Sequence, residues 1–122
     1  MSEDKNQRKI PYKEFPKRVK PIRDNDVYSV HDLSDVLKNM TTSMTVLHPG
    51  KATGGHGHEK EEEVYVFFEG SGEMQLGDEK FAVEKGDIVL IPAGNFHKVF
   101  NTATEGDLIF FCVFEKYAGR GK

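Results

Sequence analysis

Gly50-KATGG-His56-Gly57-His58-EKEE-Glu63-VYVFFE-Gly70 and Gly86-DIVLI-Pro92-Ala93-Gly94-NF-His97-KVF-Asn101 are the two stretches that decide how this 122-residue chain folds. Glycines and a proline fall at the ends of short β-branched and aromatic runs, the pattern of strands folding back on one another. Within that frame stand three histidines and a carboxylate, a mixed nitrogen and oxygen set suited to a divalent first-row metal. His56 and His58 are two residues apart, so in an extended segment both project to one face. Glu63 opens the next strand and His97 opens the strand after the second turn. In a barrel those points converge inside one mouth. Glu59, Glu61, Glu62 and Glu63 form an acidic run, of which most members belong on a solvated face. Glu63 is assigned as the ligand because it begins the apolar strand; Glu62 is the alternative.

Outward from these stretches the chain reads as short strands and turns. Val27–Val30, Met44–Leu47, Val64–Phe68, Ile88–Ile91, Phe96–Asn101 and Leu108–Phe114 are strand candidates. Glu73–Leu76 and Lys80–Val83 flank Gly77-Asp78 and read as a hairpin. Leu33, Val36, Leu37 and Met40 recur at helical spacing, which predicts a helical turn or two over Asp32–Asn39. Many short strands without a sustained helix point to an antiparallel barrel or jelly roll.

The bulk properties agree with one soluble domain: 37 % of residues are hydrophobic and 30 % charged. No apolar run approaches a membrane-spanning length, and the polar N-terminus has no signal-peptide character. Cys112 is the only cysteine, so no intrachain disulfide can form, which fits a cytoplasmic protein; within an apolar strand it reads as a buried, inert thiol. The net charge of −3 divides into +5 over residues 1–23 and −8 over residues 24–122. Aromatic residues are thin in the basic segment and the body is acidic, which argues against nucleic-acid binding. Pro11, Pro16 and Pro21 discourage helix there, so residues 1–23 read as an extended arm packing on the body or on a partner subunit. Several strands are apolar on both faces, including Glu63–Glu69 and Leu108–Phe114, which predicts a homodimer packed through one sheet.

The two stretches fill, position by position, the motifs G-x5-H-x-H-x(3,4)-E-x6-G and G-x5-P-x-G-x2-H-x3-N of the cupin superfamily, with fifteen residues (Ser71 to Lys85) between them. The chain therefore resembles a small single-domain cupin. The resemblance implies an all-β fold, an antiparallel double-stranded β-helix or jelly-roll barrel, over residues 24–122. It implies His56, His58, Glu63 and His97 as ligands of one divalent metal: iron, manganese, zinc, nickel or cobalt. Ligand type alone does not choose among these. His31 and His48 lie outside both motifs.

A closer resemblance runs through Thr45-Val-Leu-His-Pro-Gly-Lys51, Thr53-Gly-Gly55-His56-Gly-His58 and Glu63-Val-Tyr65-Val66, with Val27-Tyr28 ahead of them. These stretches are similar to the archaeal cupin-type phosphoglucose isomerases. That similarity implies Tyr28, Thr45, Thr53, Gly55 and Tyr65 as the residues binding a sugar phosphate. It also implies metal-dependent aldose–ketose isomerisation, with Glu63 or Glu62 as the carboxylate that moves the proton. Cupins carry many chemistries, so two other readings stand beside this one. One is an iron-dependent dioxygenase of a small organic substrate, with Phe67, Met74 and Phe81 lining an apolar mouth. The other is a non-catalytic module that binds a small ligand or a metal.

Overall fold

The computed structural model describes residues 9–33, 36–57 and 61–115. Among the described residues one short helix, α1 (Phe15–Arg18), precedes nine strands: β1 (Pro21–Asp24), β2 (Tyr28–Asp32), β3 (Met40–Leu47), β4 (Glu63–Glu69), β5 (Ser71–Leu76), β6 (Glu79–Glu84), β7 (Ile88–Ile91), β8 (His97–Phe100) and β9 (Leu108–Glu115). Every pairing is antiparallel. A six-stranded sheet runs in the order β1-β2-β3-β9-β4-β7, and a three-stranded sheet in the order β6-β5-β8. Their inner faces meet in one core that takes Leu47, Tyr65, Phe67, Leu108 and Phe110 from the larger sheet and Met74, Val83 and Val99 from the smaller. This is the jelly-roll barrel that the turn-punctuated strands predict. No helix among the described residues is long and apolar enough to cross a membrane.

Three local expectations change. Asp32 closes β2, and residues 36–39 form a turn and bends rather than a helix, while residues 34 and 35 fall outside the described part. The helical spacing of Leu33 to Met40 loses because Met40 starts β3, whose Thr-Thr-Ser run suits an extended backbone. Prolines do not exclude helix from the arm: Pro16 sits in the first turn of α1, where its missing N–H costs nothing. β1 begins at Pro21 on the sheet edge, a position where proline removes no ladder bond, and all four of its residues are exposed.

The arm settles what covers the outer face of the large sheet. Phe15 and Val19 pack with Met44 and Val46 of β3 in a second apolar cluster, joined by Ile10, Tyr12, Leu33, Ile109 and Phe111. The Phe15 ring meets Phe111 edge-on at 4.9 Å, and Tyr12 meets Phe68 in the same way at 5.0 Å. His31, buried on β2, donates from Nδ1 to the Val19 carbonyl at 2.6 Å, and its Nε2 faces the Ser29 hydroxyl at 3.2 Å. It is therefore a latch for the arm and not a surface group. Much of the two-faced apolarity of β4 and β9 is thus satisfied within one chain. Ile88 and Leu90 on edge strand β7 remain open, at 64 % and 68 % exposure.

Two outcomes test the docking of the arm. Phe15→Ala should lower stability by about 3 kcal/mol in urea unfolding, the order of cost for emptying a buried phenyl site. The Tyr12 hydroxyl, which donates to Glu69 Oε1 at 3.0 Å, is raised above its ordinary range by desolvation first, then by that bond and the Glu69 charge. A raised value means the bond is intact below ordinary phenol ionisation and is lost as pH climbs through the raised value. Absorbance titration should show a late-ionising tyrosine that is absent in Tyr12→Phe.

Candidate metal centre and its cavity

The segment that carries the first histidine is sewn to β8. His56 N–H donates to the His97 carbonyl at 3.1 Å, and His97 N–H donates back to His56 at 2.9 Å. The same lacing continues as Thr53 N–H to Val99 O at 2.9 Å and Asn101 N–H to Lys51 O at 2.8 Å. Val99 N–H donates to Thr53 Oγ1 at 3.0 Å. Glu63 arrives from β4, whose inward residues Glu63, Tyr65 and Phe67 alternate with outward ones. Its carboxylate ends inside the barrel, 5 % exposed.

Three groups converge. Glu63 Oε2 lies 3.1 Å from His97 Nε2 and 4.0 Å from His56 Nε2. All three ligand atoms fall within 4.8 Å of one another. Two donors held about 2.1 Å from one ion stand roughly 3 to 3.4 Å apart, so the Glu63–His97 pair already has that spacing and His56 lies slightly wider. His97 is set for the task by its other nitrogen: Nδ1 faces the Asn95 carbonyl at 3.1 Å, an acceptor that fixes the proton there and leaves the Nε2 lone pair inward. Tyr65 meets the His97 ring edge-on at 5.5 Å and holds its plane. His97 is 2 % exposed, whereas the His56 side chain is 52 % exposed and marks the mouth. His58 lies outside the described residues.

A cavity of about 90 Å³ opens beside this cluster, lined by His56, Glu63, Tyr65, Thr45, Thr53, Ser43 and Cys112, with apolar cover from Val30, Phe110 and Phe114. Thr45, Thr53 and Tyr65, inferred from sequence as substrate residues, therefore share one space with His56 and Glu63. Tyr28 and Gly55 do not line it. Tyr28 packs against the core edge, with its hydroxyl 3.4 Å from an Arg23 guanidinium nitrogen. Gly55 has φ +80° and is roofed by Phe96, whose ring would stand 2.6 Å from a Cβ added there. Glu62 is exposed, one residue out of phase with Glu63, and is not among the cavity residues; it borders a second depression with Glu63, Leu90 and Pro92. Phe67 and Met74 are core residues, with Phe81 packed against them, so none of the three lines the cavity.

The remaining motif residues act as joints. Asn101 Nδ2 donates to the Leu47 and Gly106 carbonyls at 2.9 and 3.0 Å, tying β3 to the turn before β9. Gly70 has φ +84°, and a Cβ there would stand 2.6 Å from the Asp107 carbonyl. His48 pairs with Asp107 at 3.0 Å and is not among the cavity residues. The sequence reading missed Ser43 and took Cys112 only as core. The available indication for both was parity, since Ser43 shares a strand face with Thr45 and Cys112 shares one with Phe110.

Comparison with known proteins fits this architecture. The family model described as a cupin domain matches residues 43–114. A protein of Methanocaldococcus jannaschii, the uncharacterized MJ1618, is 32 % identical over 105 residues, covering 83 % of this chain and 84 % of its own. Among solved structures, TT1209 of Thermus thermophilus is 23 % identical with a TM-score of 0.74, covering 88 % of this chain and 95 % of that one. A protein of Acidithiobacillus ferrooxidans, provisionally named a sugar phosphate isomerase, is 21 % identical with a TM-score of 0.76, covering 93 % and 78 %. One of Thermotoga maritima, provisionally named an oxalate decarboxylase, is 23 % identical with a TM-score of 0.70, covering 83 % and 96 %. At these identities the structures speak for the fold alone. Two filled motifs, a jelly-roll barrel and a family match over most of its strands lead to one conclusion: the chain belongs to the cupin family.

Proposed function

We propose that this cupin holds one divalent transition metal and interconverts the aldose and ketose forms of a small sugar or sugar derivative. The observation that carries the reading is the shared cavity, in which Thr45, Thr53 and Tyr65 face the same space as His56 and Glu63. His56, Glu63 and His97 would hold the ion, with His58 as the fourth ligand that the motif implies. A bound ion would act as a Lewis acid toward the carbonyl and hydroxyl oxygens of the substrate. Glu63 is the only carboxylate among the described cavity residues, which makes it the group to take up and return the proton between adjacent carbons. Hydroxyls on the wall orient the substrate, and the apolar residues around them limit water.

Metal binding is tested first. His56→Ala, Glu63→Gln and His97→Ala should each weaken binding of manganese or cobalt by about tenfold or more, while His31→Ala leaves it unchanged. Equal affinity in all four variants would move the metal elsewhere. Chemistry is tested by supplying each candidate ion in turn and following aldose–ketose exchange by proton NMR. Thr53→Val should raise KM more than it lowers kcat, because wall contacts are largely uniform binding. Absence of exchange with every ion supplied would end the isomerase reading.

Pairing of two copies is proposed on the apolar outer face of β7, where Ile88 and Leu90 stand open. Sedimentation should give a dimer that Leu90→Lys converts to monomer; a wild-type monomer at micromolar concentration would refute it.

A further inference from the structure

The inner face of β3 presents Thr41, Ser43, Thr45 and Leu47 in strict alternation, so three hydroxyl side chains stand in a row on one wall of the barrel. Such residues are expensive inside a core unless they are hydrogen-bonded. Ser43 and Thr45 are 2 % and 6 % exposed, both line the cavity, and neither hydroxyl has a hydrogen-bond partner among the described residues. Thr41 Oγ1, two residues further along, is likewise buried without one. Thr53 completes the wall from the laced segment. Its Oγ1 accepts from Val99 N–H, so its own proton remains available to donate.

Three features of this wall restrict what it can receive. No lysine or arginine is among the described cavity residues. Hydroxyls both donate and accept, which matches the alternating hydroxyl and carbonyl oxygens of a short polyol better than a purely accepting anion. At the threonine end a phosphate dianion would meet only neutral hydroxyls, with no cationic side chain among the described cavity residues to offset its desolvation. The volume is the third restriction. About 90 Å³ is well below the ~300 to 1,000 Å³ of pockets for larger ligands.

We infer that Ser43, Thr45 and Thr53 form a hydroxyl wall that selects an uncharged hydroxy-carbonyl compound of roughly two to four carbons and turns away its phosphate ester. This rests on the isomerase reading for the carbonyl end, but the wall's preference belongs to the protein alone. It departs from the resemblance that makes Thr45 and Thr53 phosphate-site residues.

The test is saturation-transfer NMR on the full chain, metal-free and manganese-free zinc-loaded, with dihydroxyacetone and dihydroxyacetone phosphate as probes. The free triose should bind at least about tenfold more tightly than its ester. Thr45→Val and Ser43→Ala should each weaken the triose by about fivefold, the size of one hydrogen bond, without changing zinc affinity. Thr45→Ser should restore binding, which a role in packing alone would not do; its comparison with Thr45→Val decides the matter if Ser43→Ala fails to fold. A smaller gap between triose and ester, or a Thr45→Val loss under about threefold, overturns the inference. Triose binding without aldose–ketose exchange would overturn the isomerase reading and leave the wall standing. Exchange on a phosphorylated sugar with no triose preference would do the reverse.

Discussion

The reciprocal pair of backbone hydrogen bonds between His56 and His97 is the constraint from which the site follows. These residues are 41 positions apart in sequence, and a two-residue bridge fixes them side by side. Because the contact is made by backbone, it sets where both side chains start regardless of what they bind. The rings then meet edge-on at 4.5 Å. Neighbouring bonds at Thr53 and Asn101 extend the bridge in both directions, so the loop holding the first motif behaves as an irregular additional strand of the small sheet. A loop of that kind gains rigidity from a scaffold strand, which is how irregular backbone holds ligand atoms in place.

Burial on both sides of the large sheet has different purposes. The inner face supplies the barrel core and, toward one end, the cavity. The outer face of β3 and β9 would be an apolar liability on its own, and residues 10–19 cover it. His31 connects the two sides: it hangs from β2 on the covered face, while its neighbour Val30 points into the cavity. The arm thus supports the strand that forms one wall, with no described arm residue among those lining the cavity.

Much of this was legible in the sequence because alternation and turn chemistry are local. Gly70 and Gly86 have φ values of +84° and +95°, so the glycines read as turn markers do sit in left-handed backbone that other residues avoid. His56, Glu63 and His97 were readable for the same reason, since each stands at a strand start or beside one. What escaped depends on three-dimensional neighbours. β1 has no apolar face, so no periodicity announces it. α1 is four residues long and held by Phe15 against a sheet that lies far away in sequence. Tyr28 and Gly55 carried the same resemblance as Thr45 and Thr53, yet one is directed to the sheet edge and the other is roofed by Phe96. Spacing can say that a residue is near a site; it cannot say which side of a strand the neighbours leave open.

β3 is packed on both sides by unlike surfaces, with Met44 and Val46 under the arm and Ser43 and Thr45 against the cavity. That arrangement makes the strand sensitive to parity. Loss or gain of one residue between Met40 and Leu47 would turn the hydroxyls under Phe15 and push methionine and valine into the cavity. A change of two would keep every side chain on its proper face. Evolutionary length variation in this strand should therefore come in even steps, and the pattern of gaps among related chains becomes a record of which face has been kept wet.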